Sequence, residues 1–244
     1  MRSLILALQF LTRLPTPRLE TFEPRWLADS ARWFGVVGLI VGGLVAGALG
    51  FAARLDPWAG ALVALWMWVW VTGGLHLDGL ADLADARGAA HRSRERFLEV
   101  LKDPHVGSFG VLSLVMAVAS KLVLLMLAAK GSANLMAVAL VPAWARCLAV
   151  LWSTTLPPLA PGSGERFAWT THWPSLSANL ALLTGLSAWF APALIPAALV
   201  AGYAWWNYLK KTLGGMTGDC LGAGIELVEI ALLAALVTSP QLLG

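Results

Sequence analysis

The chain has 244 residues, of which 58% are hydrophobic and only 13% charged, and its mean hydropathy is +0.72. A water-soluble domain carries about 25% charged residues, so the composition excludes an ordinary soluble enzyme and points to one integral membrane domain over residues 1–244. The net charge of +3 is too small for a nucleic-acid footprint, and no nucleic-acid partner is expected. Cys147 and Cys220 lie far apart without CxxC or Cys/His spacing, which implies neither a disulfide framework nor a zinc site.

In chain order, residues 1–33 read as a cytoplasmic or interfacial segment. It has an amphipathic start, no small-residue cleavage site and five basic residues. Phe34 to Ala53 is an uncharged run of the length needed to cross the hydrocarbon core. Its glycines at 38/42 and 43/47 repeat the small-xxx-small spacing of close helix packing. Pro57 to Leu75 supplies a second crossing, joined to the first by so short a turn that the two form a hairpin. Gly107 to Ala129 and Ser132 to about Trp152 each read as spans interrupted by one cation, Lys121 and Arg146. Residues 176–209 are uncharged throughout and too long for one pass, and Pro192 and Pro196 divide them into two. A last span runs from about Ala223 to Leu236. The predicted architecture is an all-α polytopic bundle of about seven transmembrane helices. Basic residues cluster in 1–33, in 76–106 and at Lys210–Lys211, which places those three segments on the cytoplasmic side.

The dense polar insertion at 76–106, with five basic and six acidic residues, is the predicted cytoplasmic catalytic segment. In HLDGLADLADA, Asp78, Asp82 and Asp85 stand at i, i+4 and i+7, so a helix puts all three carboxylates on one face. Such a stripe repels itself unless a cation neutralises it. Hard oxygen ligands of this kind suit magnesium or manganese beside substrate phosphates. A plainer reading pairs the acids with Arg87, Arg92 or Arg94 on a solvated face. The apolar residues between them favour a packed helix whose acids meet something specific.

His76 reads as a metal ligand, a substrate partner or an interfacial imidazole. Lys102, Asp103 and the glycines at 107 and 110 form a compact turn before a span, where backbone N–H groups either approach an anion or simply start a helix. A guanidinium at Arg146 faces a polar cavity or an anionic group such as phosphate, or snorkels to the interface. In LGGMTGDCLGAGIELVE, Asp219 and Glu226 are seven apart at the entrance to the last span, where acids are functional by default.

Four motifs in order, FLTRLPTP at 10–17, GGLHLDGLADLADA at 73–86, KDPHVGSFG at 102–110 and LGGMTGDCLGAGIELVE at 213–229, resemble the cobalamin synthase family, the adenosylcobinamide-GDP ribazoletransferases. The resemblance implies a magnesium-dependent enzyme of the bacterial inner membrane that faces the cytoplasm. Such an enzyme joins α-ribazole or its 5′-phosphate to adenosylcobinamide-GDP with release of GMP. It further implies magnesium held by Asp78 and Asp82, with Asp85 or Asp219 as further metal candidates, and a hydroxyl proton accepted by Asp85, the member of the stripe furthest from the span, with Asp82 the other catalytic candidate. His76, Lys102, Asp103, Arg146 and Glu226 become substrate-binding candidates, Lys102 and Arg146 countering phosphate charge. Arg87-Gly88 departs from the glycine-rich continuation expected after the acidic motif. A homo-oligomer or membrane partners from the same pathway are compatible with the resemblance. Two other classes compete: an enzyme like the CDP-alcohol phosphotransferases, of which DGLAD followed by Asp85 looks like a shortened pattern, and a multi-pass transporter.

Overall fold

The computed structural model describes residues 2–19, 21, 23–90, 93–131, 134–168 and 173–239. Helix α1 (Arg2–Leu11) packs on α2 (Pro24–Ser30), and a 3-10 turn at Ala31–Trp33 leads into α3 (Phe34–Ala52). Asp56 then caps α4 (Pro57–Thr72) by accepting from the backbone N–H groups of Trp58 and Ala59, so the tight turn between α3 and α4 is closed by its own acid. The polar segment follows as α5 (Leu75–Ala89) and α6 (Arg94–Val100), and then come α7 (Ser108–Lys130) and α8 (Leu135–Thr155). The remaining elements are α9 (Ser163–Ala168), α10 (Trp173–Phe190), α11 (Leu194–Tyr208), a π-helical turn at Leu209–Leu213, and α12 (Gly218–Val237). No strand is present among the described residues.

Helix α8 is the centre of the bundle. Of its apolar stretch 83% is buried, against 22% of that of α7, whose outer face is exposed. The close crossing of α3 on α8 is set by glycine. A Cβ at Gly38 would lie 2.5 Å from Ala143 Cα, and one at Gly42 would overlap the Ala139 carbonyl. Gly43 and Gly47 meet nothing within 4 Å. One of the two small-xxx-small repeats therefore builds the interface, and the other faces outward.

Among the described residues, four segments are long and apolar enough to cross a membrane: Arg25–Ala52, Ser108–Lys130, Leu135–Thr155 and Gly218–Val237. The bent pair α4–α5 makes a fifth only if counted as one span. The expectation of seven is thus higher than the lengths support. Residues 176–209 do split near Pro192, into α10 and α11, but neither meets the length and hydropathy of a crossing by itself. The last helix begins at Gly218, five residues earlier than expected, because Thr217 caps it by accepting from Cys220 N–H. That start carries Asp219 into its first turn.

The break between α4 and α5 positions the site. Consecutive glycines with φ of +65° at Gly73 and +73° at Gly74 turn the chain by 85°, a left-handed geometry that a side chain would strain. Helix α5 therefore leaves the direction of α4 and lies across the N-terminal ends of α7 and α12, apart from the four segments that qualify as spans by themselves.

Candidate active site

Two contacts hold α5 in place. At its N-terminal half, Gly79 lies against α12, where a Cβ would approach the backbone Cα and O of Asp219 at 3.0 Å. At its C-terminal half, the two carboxylate oxygens of Asp85 accept hydrogen bonds from Gly110 N–H (2.8 Å) and Gly107 N–H (2.7 Å). Asp85 thus caps α7, satisfying donors that the helix itself leaves open and placing an anion at the positive end of its dipole. The glycines of the KDPHVGSFG turn have a structural reason as well, since a Cβ at either position would meet that carboxylate.

The face that α5 presents beside Asp219 carries Asp78, which is exposed, and Asp82, which is half-buried. The Asp82 carboxyl is pushed up to about 6, first by burial and then by the negative charges of Asp78, Asp219 and Asp85. The stripe read from i, i+4, i+7 spacing is therefore divided by its surroundings. Asp78 and Asp82 gather with Asp219, while Asp85 is engaged by backbone. Asp78 and Asp219 line one cavity of about 100 Å³ together with His76 and Ser153, walled by Phe10, Phe34 and Phe167. The three rings pack on one another at centroid separations of 5.1–6.2 Å.

The loop before α12 is tied down from outside. Met216 N–H donates to Pro157 carbonyl, and Leu159 N–H donates to Met216 carbonyl, both at 2.9 Å. Fixing Met216 fixes Thr217, the cap, and with it the direction of Asp219.

His76, Arg146 and Glu226 come together, but with one another. Arg146 Nη1 pairs with Glu229 Oε1 at 2.7 Å and donates to the Pro142 carbonyl. Lys121 Nζ lies 2.7 Å from Glu226 and also bridges to Glu229. It sits 4.4 Å from the Trp68 ring centroid. The Arg146 guanidinium and His76 Nδ1 are 3.4 Å apart. All five polar side chains are buried. Two cations and two anions balance at mid-span, so this cluster joins α5, α7, α8 and α12, and Arg146 and Glu226 are closed off from a bulky ligand. Lys121 and Glu229 were not among the sequence candidates. The signal available was charge balance: two spans with one cation each and a third with two acids three residues apart.

Lys102 is exposed on the turn before α7, and the neighbouring Asp103 accepts from His105 N–H at 3.0 Å while its ring nitrogen lies 2.7 Å away. Those bonds hold the Asp103 carboxyl below its ordinary range. Arg87 reaches over the Tyr208 ring and Gly88 lies under Phe109, so this departure from the expected pattern continues α5 to Ala89. Arg92, one of the possible partners of the acids, lies outside the described residues. Arg87 and Arg94 form no ion pair with the acidic stripe among the described residues.

No group of three or more His, Cys, Asp or Glu side chains among the described residues is close enough to hold an ion unaided. Magnesium, however, is commonly held by one or two carboxylates, with water and phosphate oxygens completing its shell. Asp78 and Asp219, which share a cavity and have no basic partner among the described residues, fit that donor set.

The profile of the family described as cobalamin-5-phosphate synthase (CobS) matches residues 3–237. The chain belongs to this family. A protein of Laribacter hongkongensis named adenosylcobinamide-GDP ribazoletransferase is 60% identical over 243 residues, covering 99% of both chains. Proteins of the same name from Thiobacillus denitrificans and Novosphingobium aromaticivorans are 52% and 49% identical, covering 96% of this chain and 94% and 95% of theirs. No solved structure matches. The family match takes in all four motifs and sets aside the phosphotransferase-like and transporter alternatives.

Proposed function

We propose that this protein joins α-ribazole, or its 5′-phosphate, to adenosylcobinamide-GDP, releasing GMP and forming adenosylcobalamin or its 5′-phosphate. The observation that carries the reading is 60% identity, over 99% of both chains, to a protein of that name. The acid face at the junction of α5 and α12 supplies the chemistry that such a transfer requires.

In the reaction a ribazole hydroxyl oxygen bonds to the phosphorus attached to the cobinamide side chain. The bond from that phosphorus to the GMP oxygen breaks, and GMP leaves with the electron pair. The hydroxyl proton passes to a carboxylate. Asp82 suits this role best, because burial, the first cause of its raised carboxyl, persists with magnesium bound and leaves it ionised at neutral pH yet more basic than an ordinary one. Asp85 is the weaker acceptor, since both its oxygens already accept backbone N–H groups. Asp78 and Asp219 would hold magnesium, which when bound would supply positive charge to phosphate oxygens. Lys102, exposed beside the α7 cap, counters remaining phosphate charge at the rim. His76, Arg146 and Glu226 act through the buried cluster by fixing α5 against α12. The basic segments 1–33 and 76–106 and the Lys210–Lys211 pair orient this face to the cytoplasm, in keeping with a multi-pass enzyme of the bacterial inner membrane.

The test is GMP formation by purified protein in detergent from adenosylcobinamide-GDP and α-ribazole, with magnesium present or chelated. Magnesium-dependent GMP together with a corrinoid product of the expected mass supports the reading. Folded protein that releases no GMP in detergent or in liposomes would remove it.

A further inference from the structure

Next to the aromatic cavity, and sharing Asp78 with it, lies a larger groove of about 700 Å³, between α1, the α4–α5 elbow and α7. Asp78, Phe10 and Leu75 line both spaces, so the acid stands where they meet. The groove's polar groups are Gln9, Thr12, Arg13, Thr72 and Asp78. Most are already committed. Gln9 Nε2 donates to Thr16 Oγ1 and the Pro17 carbonyl, folding the Pro-rich segment back on α1. The Thr12 hydroxyl donates to the Leu8 carbonyl and the Thr72 hydroxyl to the Trp68 carbonyl.

Arg13 is different. Its backbone is fixed by a 2.7 Å hydrogen bond from its N–H to the Val71 carbonyl. Its side chain lies flat on Gly73, where a Cβ would run into Nε. The guanidinium is exposed to the groove and has no carboxylate partner among the described residues, Asp78 included. A fixed cation and a carboxylate that face one space without neutralising each other suit a ligand bearing its own negative charge. A guanidinium binds phosphate through paired N–H donors. The first turn of α5, whose N-cap Gly74 brings no side chain, opens into the same groove and adds a favourable dipole.

We infer that Arg13 is the phosphate-binding residue for the nucleotide diphosphate of the activated substrate, held in the elbow groove with its reacting end at Asp78. The inference rests on the transferase reading for the identity of that substrate. A lipid headgroup offers the same phosphoester chemistry, and the experiment separates the two sources.

GDP is the probe. Its binding to wild-type, Arg13→Lys and Arg13→Ala protein is measured by calorimetry in lipid-free detergent, and in nanodiscs with and without phosphatidylglycerol. Arg13→Ala is expected to weaken GDP binding at least about tenfold, with Lys intermediate because it keeps charge but loses the fork. Phosphatidylglycerol should leave GDP affinity unchanged. Equal affinity in the variants, or GDP displaced by phosphatidylglycerol, overturns the inference. In wild-type protein, GDP should protect Arg13 from phenylglyoxal in a peptide map. An unprotected Arg13 overturns the inference even if the variants do not fold. In turnover, Arg13→Ala should raise KM for adenosylcobinamide-GDP and leave KM for α-ribazole alone. Wild-type protein that binds GDP through Arg13 but forms no GMP would defeat the transferase reading and leave the subsite standing.

Discussion

Arg146 on α8 and Glu229 on α12 form an ion pair of 2.7 Å with neither side chain exposed, at the middle of two membrane helices. With Lys121 and Glu226 the cluster carries no net charge. Removing one member leaves an uncompensated buried charge, which costs roughly 3–5 kcal/mol. Arg146→Met and Glu229→Gln should each lower the melting temperature of the detergent-solubilised protein sharply. The double variant restores charge balance through Lys121 and Glu226, so it should be more stable than either single one. A double variant that melts at the sum of the two losses would refute pairing as the reason for these residues.

The raised carboxyl of Asp82 gives a pH profile. Its ionised form is the competent one, so kcat/KM should fall on the acid side, at or below about 6, because magnesium on Asp78 and Asp219 would cancel part of the charge that raises Asp82. Asp82→Asn should lower kcat by roughly 10²–10⁴ without lowering the melting temperature. Because the folded state binds this proton more readily than the unfolded chain, stability attributable to Asp82 increases as pH falls through the same range. An acid limb of kcat/KM that is unchanged in Asp82→Asn would remove Asp82 as the proton acceptor.

Asp85 should behave in the opposite way. Asp85→Asn keeps one acceptor oxygen and loses the charge at the α7 N-terminus, a change worth about 1–2 kcal/mol of stability. Gly110→Ala should destabilise comparably or more, since its Cβ would collide with the Asp85 carboxylate. Melting temperature and kcat measured together decide the matter. A large loss of kcat at unchanged melting temperature in Asp85→Asn would return the proton-accepting role to Asp85.

Gly42 and Gly43 are adjacent in sequence and opposite in consequence. Gly42→Val forces α3 away from the Ala139 backbone and should cost at least about 1–3 kcal/mol by overpacking. Gly43→Ala meets open space and should stabilise the helix by roughly 0.5–1 kcal/mol. Thermal unfolding in detergent compares them, and equal destabilisation would contradict the α3–α8 crossing.

The amino-acid sequence by itself determined that this is a helical membrane protein, where its apolar segments lie, and which acids share a helix face. Those properties follow from composition and from the 3.6-residue repeat, and Asp78, Asp82 and Asp85 do stand on one helix. Spacing along one helix cannot say what packs on it. Only the tertiary structure brought Asp219 beside Gly79 and gave Asp85 to the α7 N-terminus. It likewise closed Arg146, Glu226 and His76 into a cluster with Lys121 and Glu229. The number of crossings also depended on it, since a run of apolar residues shows hydropathy but not the 85° turn at Gly73–Gly74 or the shortness of α11. A charge in a membrane helix costs less once a neighbouring helix supplies its partner, and that partner is chosen by how the helices cross.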